Sequence, residues 1–285
     1  MSTQTSSRPV GVDELKRAWN AVSAGEFRTG PGPGPGAGKG PRGRGTAAAD
    51  NWTPQAGEHT IAVIGCAGSV GASTVALAAG LAAASPVRVI ECCSVTASGL
   101  AAASTAELGL HPTDWRQGKR DHVLLERASE VLAGVDEVPL PTESEHETQL
   151  TILDIGWEAG QLLATDCWLA EAVRTADQIV LVTTATVPGL RRASVALELL
   201  ANHWQPEQIT LAVRGPRRKK WPRGLEHAGG PAVRRALVAD RCVEIPEDRE
   251  LAVNGLDSRP VPAPLISAAR QLLEPAHLSD TSESA

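Results

Sequence analysis

Residues 64–84 read IGCAGSVGASTVALAAGLAAA, and the reading of this stretch decides what fold the chain makes. A short apolar run, TIAVIG at 60–65, leads into a turn of small residues, and the turn leads into an alanine-rich stretch of helical character. Strand, glycine-bearing turn and helix in that order have the outline of a phosphate-binding loop, where backbone N–H groups at a helix N-terminus face an anion. Such a loop reads G-x-x-x-x-G-K-[ST], and its lysine ammonium meets the outer phosphate charge. Ala72 holds the lysine's place here. Two readings follow. Gly68, Ser69, Val70, Gly71, Ala72, Ser73 and Thr74 bind a cofactor through backbone donors, or they form a strand-turn-helix junction that needs small residues for packing alone.

Outward from this loop the chain alternates between two patterns. Apolar, β-branched runs at 60–65, 87–91, 150–156, 178–184, 209–215 and 241–246 predict strands buried on both faces, as a parallel sheet requires. Helices are predicted between and after them at 73–84, 122–133, 166–175, 188–203, 230–239 and 263–274. The alternation predicts an α/β, mostly parallel doubly wound sheet, with its ligand crevice at the carboxyl ends of the strands. Residues 29–49, TGPGPGPGAGKGPRGRGTAAA, deny both helix hydrogen bonds and side-chain burial and read as a disordered linker, which we extend to residue 58. Before it, residues 12–28 place Leu15, Trp19 and Val22 at helical spacing, either as a short amphipathic helix that docks or as a solvated segment. The polar tail from 276 to 285 reads as disordered, leaving 59–275 as the folded domain.

Composition narrows the function classes. The chain has 285 residues, a net charge of −6 and 42% hydrophobic residues, ordinary values for a globular protein with a sizeable core. No run is long enough for a membrane span and no apolar segment opens the chain, so the cytoplasm is the expected location. Five cysteines without a C-x-x-C pair predict reduced core residues rather than a disulfide frame or a zinc site. The acidic balance argues against a generally nucleic-acid-coated protein and leaves room for a local basic patch. Five lysines against 22 arginines, with no tyrosine, read as codon bias, so arginine counts carry little weight.

Taken together, residues 59–275 resemble the ParA/MinD family of deviant-Walker P-loop ATPases. The family's loop reads G-K-G-G-V-G-K-T-T, against Cys66-Ala67-Gly68-Ser69-Val70-Gly71-Ala72-Ser73-Thr74 here; Gly68, Val70, Gly71, the hydroxyl of Ser73 and Thr74 match, and both lysines are missing. Glu91-Cys92-Cys93 stands where the family has D-x-D, and Asp154 in ILDIG ends the third core strand as a family Asp does. Residues 175–193 and 242–260 follow the family's later segments in order. The resemblance implies a P-loop NTPase-like fold, ATP or ADP with Mg²⁺ as cofactor, and a bacterial role in plasmid partition or positioning. It also implies a protein partner and a homodimer closed over nucleotide.

The departures bear on chemistry. The resemblance assigns Ser73 and Asp154 to Mg²⁺, and the second Asp of D-x-D to orienting the attacking water. That place is Cys93, which cannot accept a proton as a carboxylate does. An adenine-contacting Asn of the family is replaced by Arg214. Losing a charged hydrogen-bond partner costs about 1.5–3 kcal/mol, roughly tenfold to a hundredfold in binding, so the missing lysines demand a substitute.

The loop RGPRRKKWPRG at 214–224 is one source of cations, with Arg217, Arg218, Lys219, Lys220 and Arg223 around Trp221. Basic residues neutralise nucleic-acid phosphates and a tryptophan stacks on bases, so DNA or another polyanion is one expected ligand and an acidic protein the other. The sequence therefore predicts a degenerate family member that acts through a partner or DNA with weak or no hydrolysis. A divergent active ATPase and a DNA-binding accessory protein are the alternatives.

Overall fold

The computed structural model describes residues 51–143 and 148–274. The helix expected at 12–28, the linker before residue 51 and the tail from 276 lie outside the described residues. Among those described, no helix is long and apolar enough to cross a membrane.

The six strands expected from apolar runs all form: β1 His59–Gly65, β2 Val87–Cys92, β6 Leu150–Ile155, β7 Gln178–Thr184, β8 Ile209–Arg214 and β9 Cys242–Ile245. Three further strands precede β6: β3 Ala106–Leu110, β4 Trp115–Arg120 and β5 Val123–Ala128. They join one sheet of order β3-β4-β5-β2-β6-β1-β7-β8-β9. From β5 to β9 every neighbouring pair is parallel, while β4 runs antiparallel to both β3 and β5. The mostly parallel, helix-flanked sheet is the fold class the sequence predicts.

The helix expected at 122–133 is a correction, because its first half is β5. Val123, Leu124 and Leu125 fit a helical stripe and a strand equally, and tertiary pairing decides. Asp121, at φ 52°, turns the chain tightly after β4, a conformation aspartate tolerates. Val123 and Leu125 then join the core on one face, while Glu126 lies opposite Ile90 in the parallel pairing with β2.

Helices cover both faces. On one side α1, Ala72–Ala82, packs with α8, Ala263–Gln271, over Val63, Val89 and Ile152. On the other lie α2 Ala159–Ala164, α3 Trp168–Arg174, α4 Val187–Leu200, α5 Leu225–Ala228 and α6 Gly230–Val238, with α7, Arg249–Asn254, following β9 at the carboxyl end of the sheet. β1 sits between β6 and β7, yet the chain leaves it for β2 beyond β6. That reversal opens a crevice above the carboxyl end of β1, where the 66–71 turn lies.

Candidate functional site

The turn after β1 is shaped by two left-handed residues. Ser69 has φ 62° and Gly71 has φ 99°, and Gly71 caps α1 without any side-chain capping bond. The first-turn amides of α1 are thus left to the crevice rather than to a serine or aspartate cap, as an anion site requires. The turn lines a cavity of about 580 Å³ that also takes in Gly99, Asp154, Trp157, Arg214 and Leu256.

Asp154 closes the β6 side of the cavity. It is 2% exposed, hydrogen-bonded to Ser73, and its Oδ2 has no hydrogen-bond partner among the described residues. Burial pushes its carboxyl up to about 8, and the neighbouring Glu91 pushes in the same direction while the Ser73 contact opposes them. Gly99 makes this closeness feasible: a Cβ there would stand 2.8 Å from Ser73 Oγ.

Glu91 lies beside Asp154 in the β2–β6 register, but its oxygens are already used. Oε1 accepts from the Gly99 amide at 2.6 Å and the Leu100 amide at 2.9 Å, and Oε2 accepts from Ser98 Oγ at 2.5 Å. Its carboxyl is raised by burial and partly held down by these bonds. Cys93 is buried, and a Cβ at Gly156 would stand only 2.3 Å from its own Cβ. Burial, Glu91 and Asp154 all raise its thiol, which stays protonated at neutral pH. All five cysteines are free thiols, Cys92, Cys93 and Cys167 buried and Cys66 and Cys242 half-buried.

Arg214 closes the opposite side. From the end of β8 its side chain lies over the turn, its Nη2 donating to the Ser69 carbonyl at 3.3 Å. A Cβ at Gly71 would meet Arg214 Cδ at 3.4 Å and Nε at 3.8 Å. The Nε itself is buried without a partner. The structure thus brings together Gly68, Ser69, Val70, Gly71, Ala72, Ser73, Thr74, Asp154 and Arg214 around one cavity. Sequence reasoning missed Trp157, Leu251 and Leu256, whose only signal was their place after strand ends.

The basic loop divides. Arg218 is committed to the fold: its guanidinium holds Glu226 at 2.7 and 3.2 Å and the Leu237 carbonyl at 3.1 Å, and its amide donates to Glu244 at 2.8 Å. Trp221 donates Nε1 to the Pro216 carbonyl at 2.8 Å and packs half-buried against the core. Arg217, Lys219, Lys220 and Arg223 are exposed and, among the described residues, make no ion pair.

The strand order and the loop at the switch point define a P-loop type of α/β fold. No family model and no curated protein matches the chain. Among solved structures it is similar to a putative plasmid partition protein of Borrelia burgdorferi bound to AMPPNP, at 14% identity over 78% of this chain and 99% of that one, TM-score 0.47. It is also similar to a ParA family ATPase of Chlorobium tepidum, at 15% identity over 79% and 94%, TM-score 0.45. A third similar structure is the MinC:MinD cell division protein complex of Aquifex aeolicus, at 17% identity over 76% and 96%, TM-score 0.48.

Proposed function

We propose that residues 59–275 bind nucleotide phosphates on the 66–74 turn, hydrolyse ATP weakly or not at all, and act through contact with a protein partner or DNA. In this reading the chain works in the bacterial cytoplasm, in the partition, positioning or conjugation-associated class its sequence resembles, with a homodimer as the assembled form. The observation that carries binding is the unpartnered Asp154 Oδ2 beside Ser73 at an uncapped helix N-terminus. A buried polar atom without a partner costs free energy unless a ligand meets it.

The same two side chains fit Mg²⁺, which takes few protein ligands and keeps phosphate oxygens and waters as the rest. Among the described residues no group of three or more His, Cys, Asp and Glu is arranged to hold a metal alone. Bound there, Mg²⁺ supplies charge neutralisation at the phosphates. Asp154 would orient its waters and Ser73 would ligate it directly. The places that would take a proton from an attacking water are poorly suited to it: Glu91 is engaged by the 98–100 turn, Cys93 is a buried thiol, and Glu158, which also lines the cavity, caps the next helix by accepting from the Gln161 amide. Phosphate release from Mg²⁺ and ATP is therefore expected at the level of a protein-free blank. Turnover above it that Ser73→Ala abolishes would overturn this reading in favour of a divergent active ATPase.

A second reading, a DNA-binding accessory protein, rests on the four unpaired cations of the 217–223 loop in a chain of net charge −6. Phosphate neutralisation needs only such free cations and no base contact.

A further inference from the structure

The cavity is electrically lopsided, and its lopsidedness follows from strand order. β1 lies between β6 and β7, and β8 lies beyond β7. The turn that leaves β1 is therefore reached from the end of β6 on one side and, across the end of β7, from the end of β8 on the other. β6 ends in Asp154, with Glu91 beside it, and β8 ends in Arg214. The acids meet the turn at Ser73, whereas the guanidinium meets it at Ser69 and Gly71.

A phosphate-binding turn distributes its ligand in a fixed sense. Backbone amides cradle the inner phosphates, and the hydroxyl that follows the lysine position faces the divalent cation bridging the outer ones. With Ala67 and Ala72 in both lysine places, the outer-phosphate end lacks both lysine ammoniums and faces two buried carboxyls. The inner end has the helix N-terminus and a guanidinium. Arg214 is tied there by a single hydrogen bond to a loop carbonyl, and its Nε is buried with no partner. A guanidinium in that state has donors to give and matches phosphate oxygens as a fork.

We propose that Arg214 replaces the missing lysines as the phosphate cation, from the β8 side, and that the cavity takes a diphosphate group in preference to a triphosphate when no divalent cation is present. This rests on the reading that the cavity binds nucleotide phosphates. When the anion binds, Arg214 exchanges the Ser69 carbonyl for phosphate oxygen. A third phosphate would extend toward the buried Asp154 and Glu91, where neither lysine remains to meet it until Mg²⁺ intervenes.

The test is isothermal titration of the full chain with pyrophosphate, ADP and ATP, each in EDTA, for wild type, Arg214→Gln and Arg214→Lys. The expected results are ADP binding at least as tight as ATP, and a loss of about tenfold to a hundredfold in pyrophosphate and ADP affinity on Arg214→Gln. Arg214→Lys should recover part of that loss. Among the described residues the Arg214 side chain makes no other hydrogen bond, so its variants should melt within a degree or two of wild type, and a melt confirms it. If wild type binds ADP and Arg214→Gln binds it equally, the assignment of Arg214 is wrong while nucleotide binding stands. ATP binding tenfold tighter than ADP in EDTA overturns the diphosphate preference. No binding of any of the three, in EDTA or with Mg²⁺, overturns both this inference and the function it rests on.

Discussion

Replacing Asp154 with asparagine should weaken the ligand-free protein at acid pH and stabilise it near and above neutrality. The carboxyl is raised from 3.8 to about 8, chiefly by burial. Below pH 3.8 it is protonated in both the folded and unfolded chains and contributes no difference. Above that value the unfolded chain ionises first, so folding must retain a proton that the unfolded chain releases. Stability present at low pH is therefore lost as pH climbs toward 8, at about 1.4 kcal/mol per unit. The ceiling at pH 7 is on the order of 4 kcal/mol. Asparagine keeps the shape and still accepts from Ser73, but its new amide donor needs a partner and costs about 1–3 kcal/mol in every condition. A net gain of at most about 2–4 kcal/mol at pH 7.5 and a net loss of up to about 2 kcal/mol at pH 4.5 are expected. Urea denaturation in EDTA, followed by tryptophan fluorescence at several pH values, measures both. If the wild-type and variant midpoints move in parallel across that range, Asp154 is not a raised carboxyl and the account of the cavity's acidic side is wrong.

Three other perturbations probe separate parts of the structure. Gly71→Ala forces a Cβ onto a residue at φ 99° and against Arg214 Cδ, so thermal melts should register a loss of about 1–3 kcal/mol, with anion affinity falling as well. Arg218→Ala removes a bond pair to Glu226 that is about two-fifths exposed, together with the bond to Leu237, and should cost about 1 kcal/mol, with any DNA binding changing little. Neutralising Arg217, Lys219, Lys220 and Arg223 together should weaken DNA binding uniformly across sequences, each lost phosphate contact reducing the log–log salt slope by about 0.9. Wild type that binds no duplex even at low salt removes the second reading.

What the sequence disclosed depended on whether a signal was local. The six parallel strands were legible because burial on both faces writes itself as continuous apolar runs, such as Ile179–Val182 in β7. The turn at 66–74 was legible from its glycines and hydroxyls. β5 was not, because VLLERA satisfies helix and strand periods alike and only its pairing with β2 and β4 decides. Arg214 could be marked from sequence as a departure, yet its reach back to Ser69 spans a separation no local pattern records. Arg218 and Trp221 looked like the other members of a basic, aromatic loop. What separates them is Glu226 and the Pro216 carbonyl, partners visible only after folding. Glu91 stands in sequence at the first place of D-x-D, and nothing local records that its oxygens hold the 98–100 turn in place.

The central claim is that the 66–74 turn still binds nucleotide while hydrolysis is lost. Its most direct test is to mix excess protein with trace radiolabelled ATP and Mg²⁺, capture the protein on a filter, and identify the retained label by chromatography. The account predicts label retained on the protein and recovered as intact ATP after incubation, with conversion no faster than in the blank. Label that fails to stay with the protein, or that is recovered as ADP well above the blank, contradicts it.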